Sequence, residues 1–137
     1  SLQVRSMLSI ADDMETIGDI NYSMARTIKR KTEDKIYFIP KQRQNLLQMF
    51  ELLEVAFKKM EENLEGELQG NNLEGAKDAE KAINKMRNDL KKSHLKSIEK
   101  GEYKYDSGMI YTDLFSAIES LGDHVISISE ASTGELS

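Results

Sequence analysis

Cysteine is absent from this 137-residue chain, which excludes disulfides and every thiolate-ligated metal site and fits a reducing compartment. Tryptophan is also absent and proline occurs once, so little interrupts a long helix. No apolar run approaches the roughly 20 residues needed to cross a bilayer, and no signal-peptide pattern opens the chain. The two histidines lack a glutamate three residues earlier, since Lys91 precedes His94 and Leu121 precedes His124. The Glu-x-x-His of ferritin-type di-iron helices is therefore missing. A phosphate-cradling glycine loop, zinc spacing and a nucleophile constellation are missing too, so the chain reads as a non-enzyme. Basic charge is in the minority: 19 basic residues against 24 acidic give a formal net charge of −5. That balance argues against sequence-independent binding of nucleic acid.

What is present favours helix. The chain is rich in Leu, Met, Ala, Glu and Lys, 31% of it is charged, and β-branched runs are few. Its length suits one domain, residues 1–137. The first residue is not methionine and a helical pattern is running by Val4, so the chain reads as an excised piece of something longer. Apolar spacing predicts four helices. The first spans about Leu2 to Lys29, with Ile10, Met14, Ile17, Met24 and Ile28 as its stripe. A connection from Lys31 to Lys41 follows, with Pro40 as a helix start. The second spans about Lys41 to Leu64, with Leu46, Phe50, Leu53, Phe57, Met60 and Leu64 as an inward seam. Gly66 and Gly70-Asn71-Asn72 break it, and Asn71 with Glu74 reads as the next cap. The third spans about Leu73 to Lys100, with Ala76, Ala79, Ile83, Met86 and Leu90 inside, His94 one turn further as a partly buried hydrogen-bonding residue, and Gly101 as the stop. Asp106 or Ser107 caps the fourth, about Gly108 to Ala131, with Tyr111, Leu114, Ile118, Leu121, Val125 and Ile128 inside. The tail from Ser132 is expected to fray. Short connections make neighbours antiparallel, giving an all-α, up-and-down antiparallel bundle of four long helices.

One acidic phrase occurs twice: Glu15-Thr16-Ile17-Gly18-Asp19 and Glu119-Ser120-Leu121-Gly122-Asp123. The likeness extends outward at a constant offset of about a hundred residues. Ile10, Met14, Ile17, Gly18, Asp19, Ser23 and Met24 answer to Leu114, Ile118, Leu121, Gly122, Asp123, Ser127 and Ile128. Each copy sets two carboxylates at i and i+4 on one helix face around a mid-helix glycine that costs about 1 kcal/mol. Such pairs can share a hard divalent cation. Candidate metal ligands are Glu15, Asp19, Glu119 and Asp123, with Asp12 and His124 as helpers. Acid-only ligation favours manganese, magnesium or iron, and a histidine ligand shifts the choice toward zinc or iron. The alternative is that these are solvated acids beside the core. A basic cluster, Lys29, Arg30, Lys31, Lys35, Lys41 and Arg43, is either a solvated linker or a face toward anionic lipid.

The phrase Glu-x-Ile/Leu-Gly-Asp, followed in the second copy by His124, resembles the signature of PhoU-like proteins, regulators of phosphate uptake built from three-helix repeats. Glu80, Ile83, Asn84, Arg87, Leu90, His94, Leu95 and Gly101 resemble the pattern in the cytoplasmic tail of bacterial sodium/phosphate cotransporters. Ser23 and Ser127 stand where that family often has asparagine, and Thr16 and Ser120 where it often has arginine. The resemblance implies that residues 1–30 are the last helix of a preceding repeat and that 41–131 form a complete one. It further implies a multinuclear iron or zinc cluster at the acidic motifs. The implied role is non-enzymatic regulation of sodium-dependent phosphate uptake at the cytoplasmic face of the inner membrane. The expected partners are the transmembrane transporter domain of the same parent chain, a second copy in a homodimer, and the inner membrane surface through peripheral contact. Alternatives are a free-standing PhoU-type regulator acting through a transporter and sensor kinase, and a carboxylate-bridged metalloenzyme.

Overall fold

In the computed structural model, residues 1–66 and 73–133 are described. They form four helices: α1, Leu2–Glu33; α2, Pro40–Glu65; α3, Leu73–Glu99; and α4, Tyr105–Ser132. The fold is an all-α, up-and-down bundle. Cross-helix pairs set the directions. Asp13 meets His124, and Arg30 meets Asp113, so α1 and α4 are antiparallel. Arg87 meets Glu119, and Gly122 meets Ile83, which makes α3 antiparallel to α4 as well. Asn45 bonds to Tyr111 and Gln42 to Ser107, so α2 runs parallel to α4.

The bundle is not evenly four-sided. Helix α4 packs against all three others and α2 packs against α3, whereas α1 approaches α4 alone. Burial follows that topology. The inward residues expected on α4 (Tyr111, Leu114, Ile118, Leu121, Val125 and Ile128) are all buried, and Phe115, Ile126 and Ala131 join them. On α1 only Met24 is buried. At Gly122 a Cβ atom would stand 3.0 Å from the Ile83 Cδ1; the glycine lets α3 and α4 close together. The equivalent Cβ on Gly18 would meet nothing within 4 Å.

The seam of α2 lies elsewhere than its aromatics suggest. Leu46, Leu53 and Met60 are buried as expected, but the turns between them bury Met49 and Ala56, with Gln42 and Asn63 at the ends. Phe57 is half-buried against the core. Phe50 and Leu64 face outward, 39% and 38% exposed. Both stripes obey three-and-four spacing, and the smaller Ala56 and flexible Met49 fit the tight junction with α3 and α4 better than two phenyl rings do. On α1, Met14 and Ile28 likewise face outward. The stripe against α4 is Ile10, Asp13, Ile17, Ile20, Met24 and Thr27.

Helix ends agree with elementary capping, with one correction. Pro40 is the first residue of α2, and the Gln42 Oε1 accepts the Ile39 backbone N–H at 3.0 Å. Gly66 ends α2 with φ +63°, a left-handed cap that suits glycine. For α4 the cap is Lys104, with Asp106 inside the first turn, rather than Asp106 or Ser107. Ser107 is instead buried, and its hydroxyl donates to the Gln42 Oε1 at 3.2 Å. Helix α4 continues through Ser132. The turn at Gly70-Asn71-Asn72, the cap assigned to Asn71 and the end of the tail lie outside the described residues.

Candidate functional site

The two copies of the acidic phrase meet different surroundings. On α1, Asp12, Glu15 and Asp19 are exposed on the side turned away from α4. On α4, the same spacing turns Glu119 and Asp123 toward α3. There the Arg87 guanidinium stands 3.4 Å from the Glu119 carboxylate. Glu80, one turn before Ile83 on α3, completes the group. Partial burial pushes its carboxyl up to about 7, helped by a hydrogen bond with Asp123 and by the charges of Asp123, Glu130 and Glu119. Burial also raises Glu119, as do its hydrogen bond and repulsion with Asp123, while Arg87 and Lys91 pull it down. Burial, followed by the neighbouring carboxyls, thus holds a proton on Glu80 near neutrality, while the Arg87 guanidinium sits on Glu119.

His124 and Ser127 belong to a different face of α4. The His124 Nδ1 lies 2.9 Å from the Asp13 Oδ1, and the Ser127 hydroxyl donates to the Asp13 Oδ2 at 2.7 Å. Asp13 therefore accepts from both across the α1–α4 seam. The serine bonds to the aspartate rather than to the histidine, so the pair does not form the Ser–His contact of a nucleophile triad. His124 thus points away from the Glu119–Asp123 face. The structure does not bring Glu15 and Asp19 together with Glu119 and Asp123. Among the described residues, no group of three or more His, Cys, Asp or Glu is arranged to hold a metal ion. Glu80, Glu119 and Asp123 lie together on the α3–α4 junction, with Arg87 as the counter-charge of Glu119.

Asp13 and Glu80 are the residues that motif reading misses. Asp13 had a signal: it interrupts the apolar sequence Ile10, Ile17, Ile20 and Met24 at a seam position, and an acid there requires a partner. For Glu80 the signal was weaker, an acid one turn ahead of a buried isoleucine.

A second polar group closes the bundle end. Burial lowers the pKa of His94, which keeps its ring neutral, and burial raises that of Tyr103, which keeps its hydroxyl protonated. Tyr103 can then donate to the His94 Nδ1 at 2.7 Å. The rings stack, and Tyr111 sits edge-on to Tyr103. This is the hydrogen-bonded role expected of His94. Beside it, Lys41 reaches the Ser97 hydroxyl at 3.3 Å and Glu102 at 3.6 Å.

Most of the basic cluster is engaged within the chain. Lys29 pairs with Glu33, and Arg30 with Asp113. Lys31 sits over the Phe38 ring, and Arg43 donates to the Phe38 carbonyl. Lys35, at φ +55°, lines a cavity of about 300 Å³ with Tyr37, Tyr103 and Lys104. Among the described residues no helix is long and apolar enough to cross a membrane. Comparison with known proteins finds no matching family model, no matching curated protein and no matching solved structure.

Proposed function

We propose that this chain is a non-enzymatic regulatory domain of a sodium-dependent phosphate cotransporter, acting at the cytoplasmic face of the inner membrane. The observation that carries the reading is the doubled Glu-x-Ile/Leu-Gly-Asp phrase, whose two copies lie on the two helices that pack against each other. Helices α2, α3 and α4 form a three-helix unit with the second copy on its last helix, and α1 carries the first copy alone. That arrangement agrees with the repeat organisation the PhoU-like resemblance implies. In this reading the partner is the transmembrane domain of the parent chain. Engaged basic residues such as Arg30 and Lys41 leave only part of the cluster for an anionic lipid surface, where each free cation contributes about 1 kcal/mol.

In this reading a divalent cation at the acidic face of α4 is the sensed or structural ligand. Glu80, Glu119 and Asp123 offer oxygen donors, and a cation there would displace the proton near neutrality and the Arg87 contact. Deleting the region from the parent transporter tests the main reading. Phosphate uptake, or its response to phosphate supply, should change while membrane insertion persists. Unchanged rate, affinity and regulation would overturn it. A free-standing regulator acting through a transporter and sensor kinase is the second reading; it gains support if the full-length parent carries no membrane-spanning segment.

A further inference from the structure

The side of α1 turned away from α4 carries a second seam. Met7, Met14 and Ile28 alternate with Ala11, Gly18 and Ala25 in steps of four and three, and all six are exposed. Val4 extends the series at one end, and Asn21 holds the remaining position. Strict three-and-four spacing over most of a 32-residue helix is the pattern of a helix-packing face, not of scattered surface residues. The internal repeat says the same. On α4 the residues equivalent to Met7, Ala11, Met14, Gly18 and Asn21 are Tyr111, Phe115, Ile118, Gly122 and Val125, and each is buried. The face that α4 covers with α2 and α3 is the face that α1 leaves open.

We propose that a second copy of this chain covers it, through an antiparallel α1–α1 contact about a two-fold axis near Gly18 to Asn21. Two features of the sequence favour that occupant and that direction. The first is size. In antiparallel register Met14 faces Ala25 of the other copy, Ile28 faces its Ala11, and Asn21 faces its Gly18. Each large side chain then meets a small one, and a two-fold axis repeats every pair. The second is charge. One flank of the seam carries Asp12 and Glu15 in its first half and Arg26 and Lys29 in its second. An antiparallel two-fold sets this flank against its own copy, acidic half on basic half, whereas a parallel pair would set it against the opposite flank, where Ile10, Ile17 and Met24 are already packed on the core. Arg26 and Lys29 are exposed. Arg26 lies over the Tyr22 ring on its own helix, and Lys29 makes a long contact with Glu33; both can turn to a partner.

The experiment is sedimentation equilibrium on the 137-residue chain over a concentration series, with circular dichroism as the control on folding. Wild type should rise from 15.6 kDa toward twice that mass. Met14→Glu combined with Ala25→Glu sets acids against one another across the contact. That variant should remain at the monomer mass with unchanged helicity. Glu15→Arg alone and Arg26→Glu alone should each weaken dimerisation tenfold or more, and the two together should restore it. Only the antiparallel arrangement gives that restoration. A wild type that stays monomeric throughout overturns the proposal. So does a dimer that survives Met14→Glu with Ala25→Glu, or a failure of the paired reversal to restore what each single reversal removes. A monomer that instead co-sediments with anionic phospholipid vesicles, and loses this with Met14→Glu, also overturns it, in favour of a lipid surface.

Discussion

Helices α1 and α4 carry the same phrase and live in different worlds. Met14 and Ile118 occupy equivalent positions; one is 47% exposed, and the other is fully buried. Gly18 faces open space, whereas Gly122 is pressed against Ile83. Glu15 and Asp19 face water, while Glu119 and Asp123 crowd against Glu80 and Arg87. A repeated motif thus fixes local spacing, and the neighbours decide what that spacing does. The α2–α3 hairpin supplies those neighbours on one side of α4 only.

The sharpest way to break the comparison is to truncate both equivalents. Ile118→Ala should cost about 3–4 kcal/mol in urea or thermal unfolding, as for other buried aliphatic truncations. Met14→Ala, measured at dilutions that keep the chain monomeric, should cost under about 0.5 kcal/mol. Similar losses at the two sites would mean that α1 is covered as α4 is. Next in size is the polar seam. Asp13→Ala leaves His124 and Ser127 half-buried without their acceptor, which should cost about 1–2 kcal/mol. Amide exchange should accelerate along α1 and leave α2 and α3 unchanged; uniform acceleration would show that α1 is integral to one cooperative unit.

The glycines should then respond with opposite signs. Gly18→Ala, again measured on the monomer, removes a mid-helix glycine from open space and should stabilise by about 0.5–1 kcal/mol. Gly122→Ala gains the same propensity but drives a methyl group into the buried Ile83, for a net loss of about 1 kcal/mol. Equal gains at both would show that α3 yields at that contact. The smallest effect concerns protons. Glu80 titrates at about 7 in the folded chain, against an ordinary value of 4.5. The folded state therefore holds the proton more tightly, and stability falls as pH rises from 4.5 through 7. Glu80→Gln should stabilise by about 1 kcal/mol at pH 8, after discounting for solvent screening, and by nothing at pH 4. A gain that persists at pH 4 would assign the effect to packing instead.

Much of the fold was legible because apolar spacing reports burial wherever one face dominates. The inward residues of α4 and most of those on α3 follow from period alone. Helix α2 was ambiguous because it carries two interleaved three-and-four stripes, one of Phe50, Phe57 and Leu64, the other of Met49, Ala56 and Asn63. Periodicity cannot rank them; the space left between α3 and α4 does. Phe50→Ala should accordingly cost about 1 kcal/mol rather than the 3–5 of a buried aromatic. The acidic pair at Glu119 and Asp123 was readable from the repeat. Its charge state was not, because Glu80 and Arg87 reach it across a helix junction, and their distance in the chain conceals their nearness in space.

The topology of α4 has a mechanical meaning. Gly122 touches α3 through Ile83, while His124 and Ser127 hold α1 through Asp13, so both contacts lie within two turns of one rod. With no helix-to-helix seam from α1 to α2 or α3 among the described residues, a displacement on either side reaches the other through that rod or through the connection at Phe38, which Lys31 and Arg43 both contact. A ligand bound at the Glu80–Glu119–Asp123 face, as proposed above, would pull on one side of α4. The α1 helix on the far side is the lever that would report it.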